Sequence, residues 1–459
     1  MRRSWFGALA LVAVAVGSLL AVNAVLRERE YQQLILRGDT ALTSDQAFVA
    51  IEAYSGAIAL KGNSMIAYLK RGEAYRRRAE MGAAIRDLRT ATRLDPAAIR
   101  PAELLGDLSY GLERFSRAAE SYQACVRLDD RSPRILYKLA LALYRSGDAA
   151  KAIDPLRKAA TIDDRFAEAH YLLGLCLRSQ GQPGEALRSQ EQAIKSSPGL
   201  VAPREELAQL YTGAGRSREA IEQLEAIAAL EADRPERQAS VGLAYARLGK
   251  TEEAIGVLRQ AAERFPGNAT IYATLGRVWL NAAEPRRDRV SLRKAIEAVE
   301  PLARGPSVSG EALAVYGRAL LVSGETNAGI TALQQAADIL PVKPETLMWL
   351  ANGAEQMGRL PMARSALERW AVLASESDAA RPAVYERIGV LSQRLGDALG
   401  AVQAWRHLTD SSASVDVLAR LATAEVGVGQ VAAARQTVAR GLKRNPHHPV
   451  LLALQQRLQ

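Results

Sequence analysis

Four histidines are the first side chains to weigh for chemistry: His170, His407, His447 and His448. An imidazole can move a proton near neutral pH or hold a metal, and a zinc site needs Cys, His or acidic partners at ligand spacing. None of the four has such partners. His170 reads as a packed histidine with its hydrogen bonds met, and His447-His448 follows Pro446 in a turn. Cys125 and Cys176 read as buried apolar fillers. Packed helix axes lie about 8–10 Å apart, so a bridge spanning two helix pairs is out of disulfide reach. The octapeptide Ala244-Tyr245-Ala246-Arg247-Leu248-Gly249-Lys250-Thr251 approaches a phosphate-cradling loop with its first glycine replaced. Such a loop must follow a strand, whereas Gly249-Lys250 occupies the same place as Gly147-Asp148 and Gly181-Gln182, and is a turn. Carboxylates are common, but none pair as acid and base, and no Ser-His-Asp or Cys-His signature occurs. The sequence predicts a non-enzyme, with no cofactor and no metal.

The elements that carry these side chains announce themselves by period. Small residues recur every thirty-four positions at Gly38, Gly72, Gly106, Ala140, Gly174, Ala208, Gly242 and Gly276. A second series, twelve residues on, reads Ala50, Ala84, Ala118, Ala152, Ala186, Ala220 and Ala254. A fixed period of this size is the mark of stacked repeats. In residues 65–98, Tyr68, Arg71, Gly72 and Tyr75 share one face of a helix. Gly82 marks a turn, Ala84, Leu88 and Ala91 form the inward stripe of a second helix, and Asp95-Pro96 ends it, since proline cannot continue the hydrogen-bond ladder. Small residues at positions 8, 20 and 27 let two backbones approach; larger ones at 4, 7, 11 and 24 fill the gap between pairs. No stretch alternates apolar and polar residues, so the fold class is all-α. In a solenoid each unit contacts only its neighbours, so 459 residues need no single core.

The thirty-four-residue period, the small residues at 8, 20 and 27 and a proline at 32 resemble the tetratricopeptide repeat family. Repeats start at 31, 65, 99, 133, 167, 201, 235, 269, 310, 344, 382 and 415, with prolines at Pro96, Pro198, Pro266, Pro341 and Pro446. Later repeats carry Gly317, Ala351, Gly389 and Ala422, then Ala295, Gly329, Ala363, Ala401 and Ala434. Ile227, Leu302, Trp370 and Leu408 depart from the small residue at position 27. The resemblance implies a right-handed superhelical solenoid of about twelve helix pairs over 31–448, and residues 449–459 read as a capping helix.

In proteins similar to this one, first helices line a concave groove that takes extended or helical peptide segments, at positions 2, 5, 9 and 12 with 6 and 13 beside them. Carried onto this chain, the groove residues are Tyr110, Arg134, Tyr137, Lys138, Leu141, Tyr144, Arg145, Tyr171, Leu175 and Arg178. Tyrosine gives contact area with a polar tip and arginine pairs with carboxylates, a mixture enriched in protein interfaces. Glu345, Met348, Trp349 and Asn352 form a second candidate. The lysine and asparagine clamp of chaperone-tail binders is lacking, for position 9 reads Asp107, Leu141, Leu175 and Gln209. The asparagine ladder of the family's sugar transferases is lacking too.

Net charge is +10, with fifty arginines to ten lysines. Lys70, Arg71, Arg76, Arg77, Arg78, Arg86, Arg89 and Arg93 form the densest patch, suited to anionic lipid or nucleic acid, though no nucleic-acid motif accompanies it. Two insertions break the register: a basic loop at Ala283 to Arg289 and a polar stretch at Asp378 to Arg381. Before the repeats, residues 1–4 form a basic tail, 5–26 an apolar run long enough for a membrane span, and 27–30 a linker. A cleaved signal has a shorter apolar region. The expectation is therefore a single-pass inner-membrane protein of bacterial type with its solenoid in the periplasm. A cytoplasmic solenoid or secretion after cleavage are the alternatives. Function is expected to be that of a membrane-anchored scaffold for proteins in envelope assembly, secretion or polysaccharide export, or else a non-catalytic accessory subunit of an envelope enzyme.

Overall fold

A computed structural model describes residues 2–284, 288–305, 308–409 and 413–458, with side chains from residue 18 onward. Among these residues the secondary structure is entirely helical, in twenty-five helices. The chain divides into two compact units, Met1–Gly215 and Arg216–Gln459. The first holds α1 (Arg2–Thr43), α2 (Ala47–Leu60), α3 (Met65–Arg77), α4 (Met81–Leu94), α5 (Ile99–Gly111) and α6 (Phe115–Leu128). It continues with α7 (Pro133–Arg145), α8 (Ala149–Ile162), α9 (Ala167–Ser179), α10 (Pro183–Ser196) and α11 (Val201–Gly213). The second begins with α12 (Ser217–Leu230), α13 (Pro235–Arg247), α14 (Thr251–Arg264), α15 (Ala269–Ala283), α16 (Arg289–Ala303), α17 (Gly310–Ser323) and α18 (Thr326–Asp338). It ends with α19 (Pro344–Gln356), α20 (Leu360–Leu373), α21 (Arg381–Arg394), α22 (Ala398–Arg406), α23 (Val415–Gly427), α24 (Val431–Arg444) and α25 (Pro449–Leu458).

Within each unit consecutive helices pack side by side. The close approach is made where a small residue lies under a large one. A Cβ on Gly106 would stand 2.6 Å from Tyr122 Cε1, nearer than any real contact, so Tyr122 lies on α5 only because Gly106 has no side chain. Gly38 and Tyr54 make the same contact between α1 and α2. In the second unit a Cβ on Gly389 would stand 2.7 Å from Cζ2 of the buried Trp405 indole. The larger residues at position 27 are absorbed: Ile227 and Trp370 are buried, and Leu302 and Leu408 pack against apolar clusters. Leu451, Leu454 and Leu458 of α25 are buried against α23 and α24.

The near-miss phosphate loop is a turn: Gly249, at φ 73°, joins α13 to α14. Cys125 and Cys176 are buried and free, and burial raises each thiol to about 11. His170 is half-buried, with Nε2 3.0 Å from the Asp164 carbonyl. Pro285, Arg286 and Arg287 of the basic insertion lie outside the described residues; the polar stretch at 378–381 runs into the start of α21.

The single-pass membrane placement is corrected. Among the described residues no helix is long and apolar enough to cross a membrane. The expected span at 5–26 falls up to residue 17 outside the described side chains. Beyond it α1 runs unbroken through Arg27, Glu28, Arg29 and Glu30, where a linker was expected. It then buries Tyr31, Ala41 and Leu42 as the partner of α2.

The turns inside several helix pairs take one left-handed residue. Glycine fills it at Gly147, Gly181 and Gly249, while Asp45, Ala79 and Glu113 take it at φ 57°, 60° and 57°. A side chain there costs about 1–2 kcal/mol, against the greater chain entropy that glycine loses on folding. Ala79→Gly is therefore expected to raise stability by about 0.5–1 kcal/mol, measured by urea unfolding.

Candidate functional site

The expected groove residues fall on α5, α7 and α9 of the first unit. On α7, Arg134, Tyr137, Lys138, Leu141, Tyr144 and Arg145 follow at steps that keep one helix face; on α9, Tyr171, Leu175 and Arg178 do the same, and α7 touches α9 directly. Tyr110, Tyr137, Lys138, Leu141, Tyr144, Tyr171 and Leu175 are half-buried, whereas Arg134, Arg145 and Arg178 are exposed. Tyr137, Leu141, Tyr144 and Leu175 rest against the core formed by residues such as Leu136, Leu172 and Leu173. Tyr137 meets Phe166 with ring centres 5.1 Å apart, and Tyr110 meets Phe115 edge-on at 5.2 Å.

The bases on this face are not free. Lys138 Nζ lies 2.7 Å from both Glu103 Oε1 and Asp107 Oδ1, and Arg134 pairs with Glu103. Those two cations hold the Glu103 carboxyl down to about 2, the Arg134 hydrogen bond first, against the opposing effect of burial. Arg178 Nη1 is 2.8 Å from Glu206 Oε2, close yet without a hydrogen bond to it, and bonds Gln209 at 3.0 Å. Burial outweighs Arg178 and raises the Glu206 pKa. Arg145 stacks over the Phe115 ring, 5.0 Å from its centre.

This is a recurring device rather than a local accident. In each case the cation at position 6 reaches back to acceptors on the preceding first helix. Lys70 bonds Asp39 at 2.6 Å. In the second unit Arg387 reaches Asn352 and Glu355 at 2.8 Å and Met348 Sδ at 3.2 Å, while Glu345 pairs with Arg277. The second sequence candidate is thus largely consumed in packing; Trp349 is half-buried against the apolar cluster of that unit.

Sequence reasoning missed Glu103, Asp107, Phe115, Phe166 and Glu168. The signal for Asp107 was present: Asp39/Lys70 and Asp107/Lys138 repeat one spacing. Also missed was a concavity of about 420 Å³ in the second unit, lined by Glu386, Asp416, Arg420 and His448 among others. His448 Nε2 lies 3.2 Å from Asp416 there. Counting the groove positions through the last two repeats would have found it. Among the described residues no group of His, Cys, Asp and Glu is placed to hold a metal ion.

Residues 104–166, 177–242 and 235–278 match models of the tetratricopeptide repeat, and the chain carries such repeats over those stretches. A 98-residue stretch, 21% of the chain, is 32% identical to small glutamine-rich tetratricopeptide repeat-containing protein 2 of Mycosarcoma maydis, spanning 28% of that protein. Among solved structures, MamA is similar at 26% identity and TM-score 0.36, over 37% of this chain and 93% of MamA. YrrB, described as a tetratricopeptide repeat protein with an unusual peptide-binding site, is similar at 21% identity and TM-score 0.37, over 40% and 95%. Repeats of this kind imply a protein-interaction scaffold, generally non-catalytic, that binds peptides or other proteins.

Glu103 gives the face a pH signature. Its folded-state pKa of about 2 lies below the ordinary 4.5, so its contribution to stability is complete above pH 4.5 and is lost as pH falls toward 2. Glu103→Gln is expected to cost about 1–3 kcal/mol at neutral pH. The gap in melting temperature between wild type and variant should close as calorimetry moves below pH 4.5.

Proposed function

We propose that the chain is a non-catalytic scaffold that captures a peptide segment of another protein on the first-helix face of the first unit, with Tyr110, Tyr137, Tyr144, Tyr171, Leu141 and Leu175 as its contact residues. One contrast carries the reading. Tyr54 and Tyr122, on second helices, give their hydroxyls to Asp39 and Asp107 at 2.7 Å. The hydroxyls of Tyr110, Tyr137, Tyr144 and Tyr171 have no protein hydrogen bond among the described residues. None of these four hydroxyls is itself buried, so each can still take a hydrogen bond from a partner. A row of half-buried rings with open polar tips suits a surface that another chain completes.

Arg134, Lys138 and Arg178 have a different place in this proposal from the one their sequence positions gave them. They hold neighbouring repeats together and shape the face, and their charges are spent before a partner arrives. Envelope assembly, secretion and polysaccharide export lose their ground with the membrane placement.

The test is capture of partners by the immobilised full chain, comparing wild type with Tyr137→Ala/Tyr144→Ala. Retained partners should fall about tenfold or more, as expected where aromatic anchors dominate an interface, with helicity by circular dichroism unchanged. Equal capture by both proteins would remove the face from the proposal.

A further inference from the structure

The proposed face has a charge preference written into which of its ionic groups are already paired. Lys138, only 24% exposed, sits between two carboxylates, Arg134 is held by Glu103, and Arg178 by Glu206 and Gln209. Arg145 lies over Phe115 at the opposite end of α7 from Arg134 and Tyr137. A partner carboxylate entering beside Tyr137 would have to break one of these pairs.

The acidic side is different. Glu168, in the first turn of α9, is exposed and makes no hydrogen bond or ion pair among the described residues. It stands one helical turn before Tyr171 on the same face. Its charge acts on Tyr137: burial raises that hydroxyl's pKa first, then Glu168, with Tyr110 and Tyr171 adding to it. Tyr171 likewise responds to burial first, then to Glu206. The corner between α7 and α9 therefore joins electron-rich rings to uncompensated negative charge. Rings and carboxylate together favour a cation.

We infer that the segment bound by this face presents a lysine or arginine, seated against Glu168 beside the Tyr137 and Tyr171 rings. This rests on the peptide-capturing reading above. It runs against the net charge of the whole chain, +10, which includes exposed arginines away from this corner such as Arg86, Arg89 and Arg93 on α4.

The test uses the full chain and three synthetic degenerate peptide pools of equal length, with central residues fixed as Lys/Arg, as Glu, or as Ala. Binding is read by fluorescence anisotropy at physiological salt, where long-range attraction is screened. The Lys/Arg pool is expected to bind about tenfold tighter than the Glu pool. Glu168→Gln should weaken the Lys/Arg pool roughly fivefold or more and leave the Ala pool unchanged, while Glu168→Lys should reverse the order. A Glu pool that binds tightest, or a Lys/Arg pool indifferent to Glu168→Gln, overturns the inference. If all pools bind equally and Tyr137→Ala/Tyr171→Ala abolishes binding of each, the charge inference falls and the face stands. If no pool responds to the tyrosine changes, the reading of the face falls with it.

Discussion

Tyr122 packs closely on α5 because position 106 carries no side chain, and much of the first unit follows from that contact. With the ring so placed, its hydroxyl reaches Asp107, the residue next to the glycine, at 2.7 Å. Burial first, then this bond, pushes the Tyr122 pKa upward. Asp107 in turn holds Lys138 of the next helix pair at 2.7 Å. Gly38, Asp39, Tyr54 and Lys70 build the same chain of contacts earlier in the unit. A steric permission within one pair thus becomes an ionic link to its neighbour. Nearest-neighbour coupling of this sort is what holds a stack that has no common interior.

The links also govern what the first-helix face can do. Positions 5, 6 and 9 lie on the face that a partner would meet, and the stack uses several of them for its own cohesion. Arg387 does so with Asn352 and Glu355 in the second unit. What is left over in the first unit is aromatic and acidic: tyrosines that give no hydroxyl to the protein, and Glu168. Arg71 shows the same economy, gripping Asp87 of its own pair through Nε at 2.6 Å and Nη2 at 2.9 Å and Ser55 of the preceding pair at 3.1 Å. It belongs to the densest basic patch of the sequence, yet its charge is turned inward.

The helical class was legible because a backbone approach needs small side chains, and Gly38, Gly72 and Gly106 recur where geometry demands them. The departures at position 27 were legible as departures but not as sound packing, since whether Trp370 fits depends on the volume its neighbours leave. The tyrosines of the candidate face could be placed on one stripe by register alone. Pairing could not: the stripe gives Lys138 a direction, while rotamer and the distance to α5 decide whether it meets Asp107 or water. The apolar run at 5–26 was legible by hydropathy, but not that α1 would continue past it through Arg27, Glu28, Arg29 and Glu30 to pack against α2.

The most direct measurement is a double-mutant cycle between Asp107 and Lys138, using Asp107→Asn and Lys138→Met with unfolding followed by urea. A coupling energy of about 1 kcal/mol is predicted for a partly exposed pair that binds two repeats. Additive effects would mean that Asp107 does not hold Lys138, and would contradict the account of helix pairs joined through that ionic link.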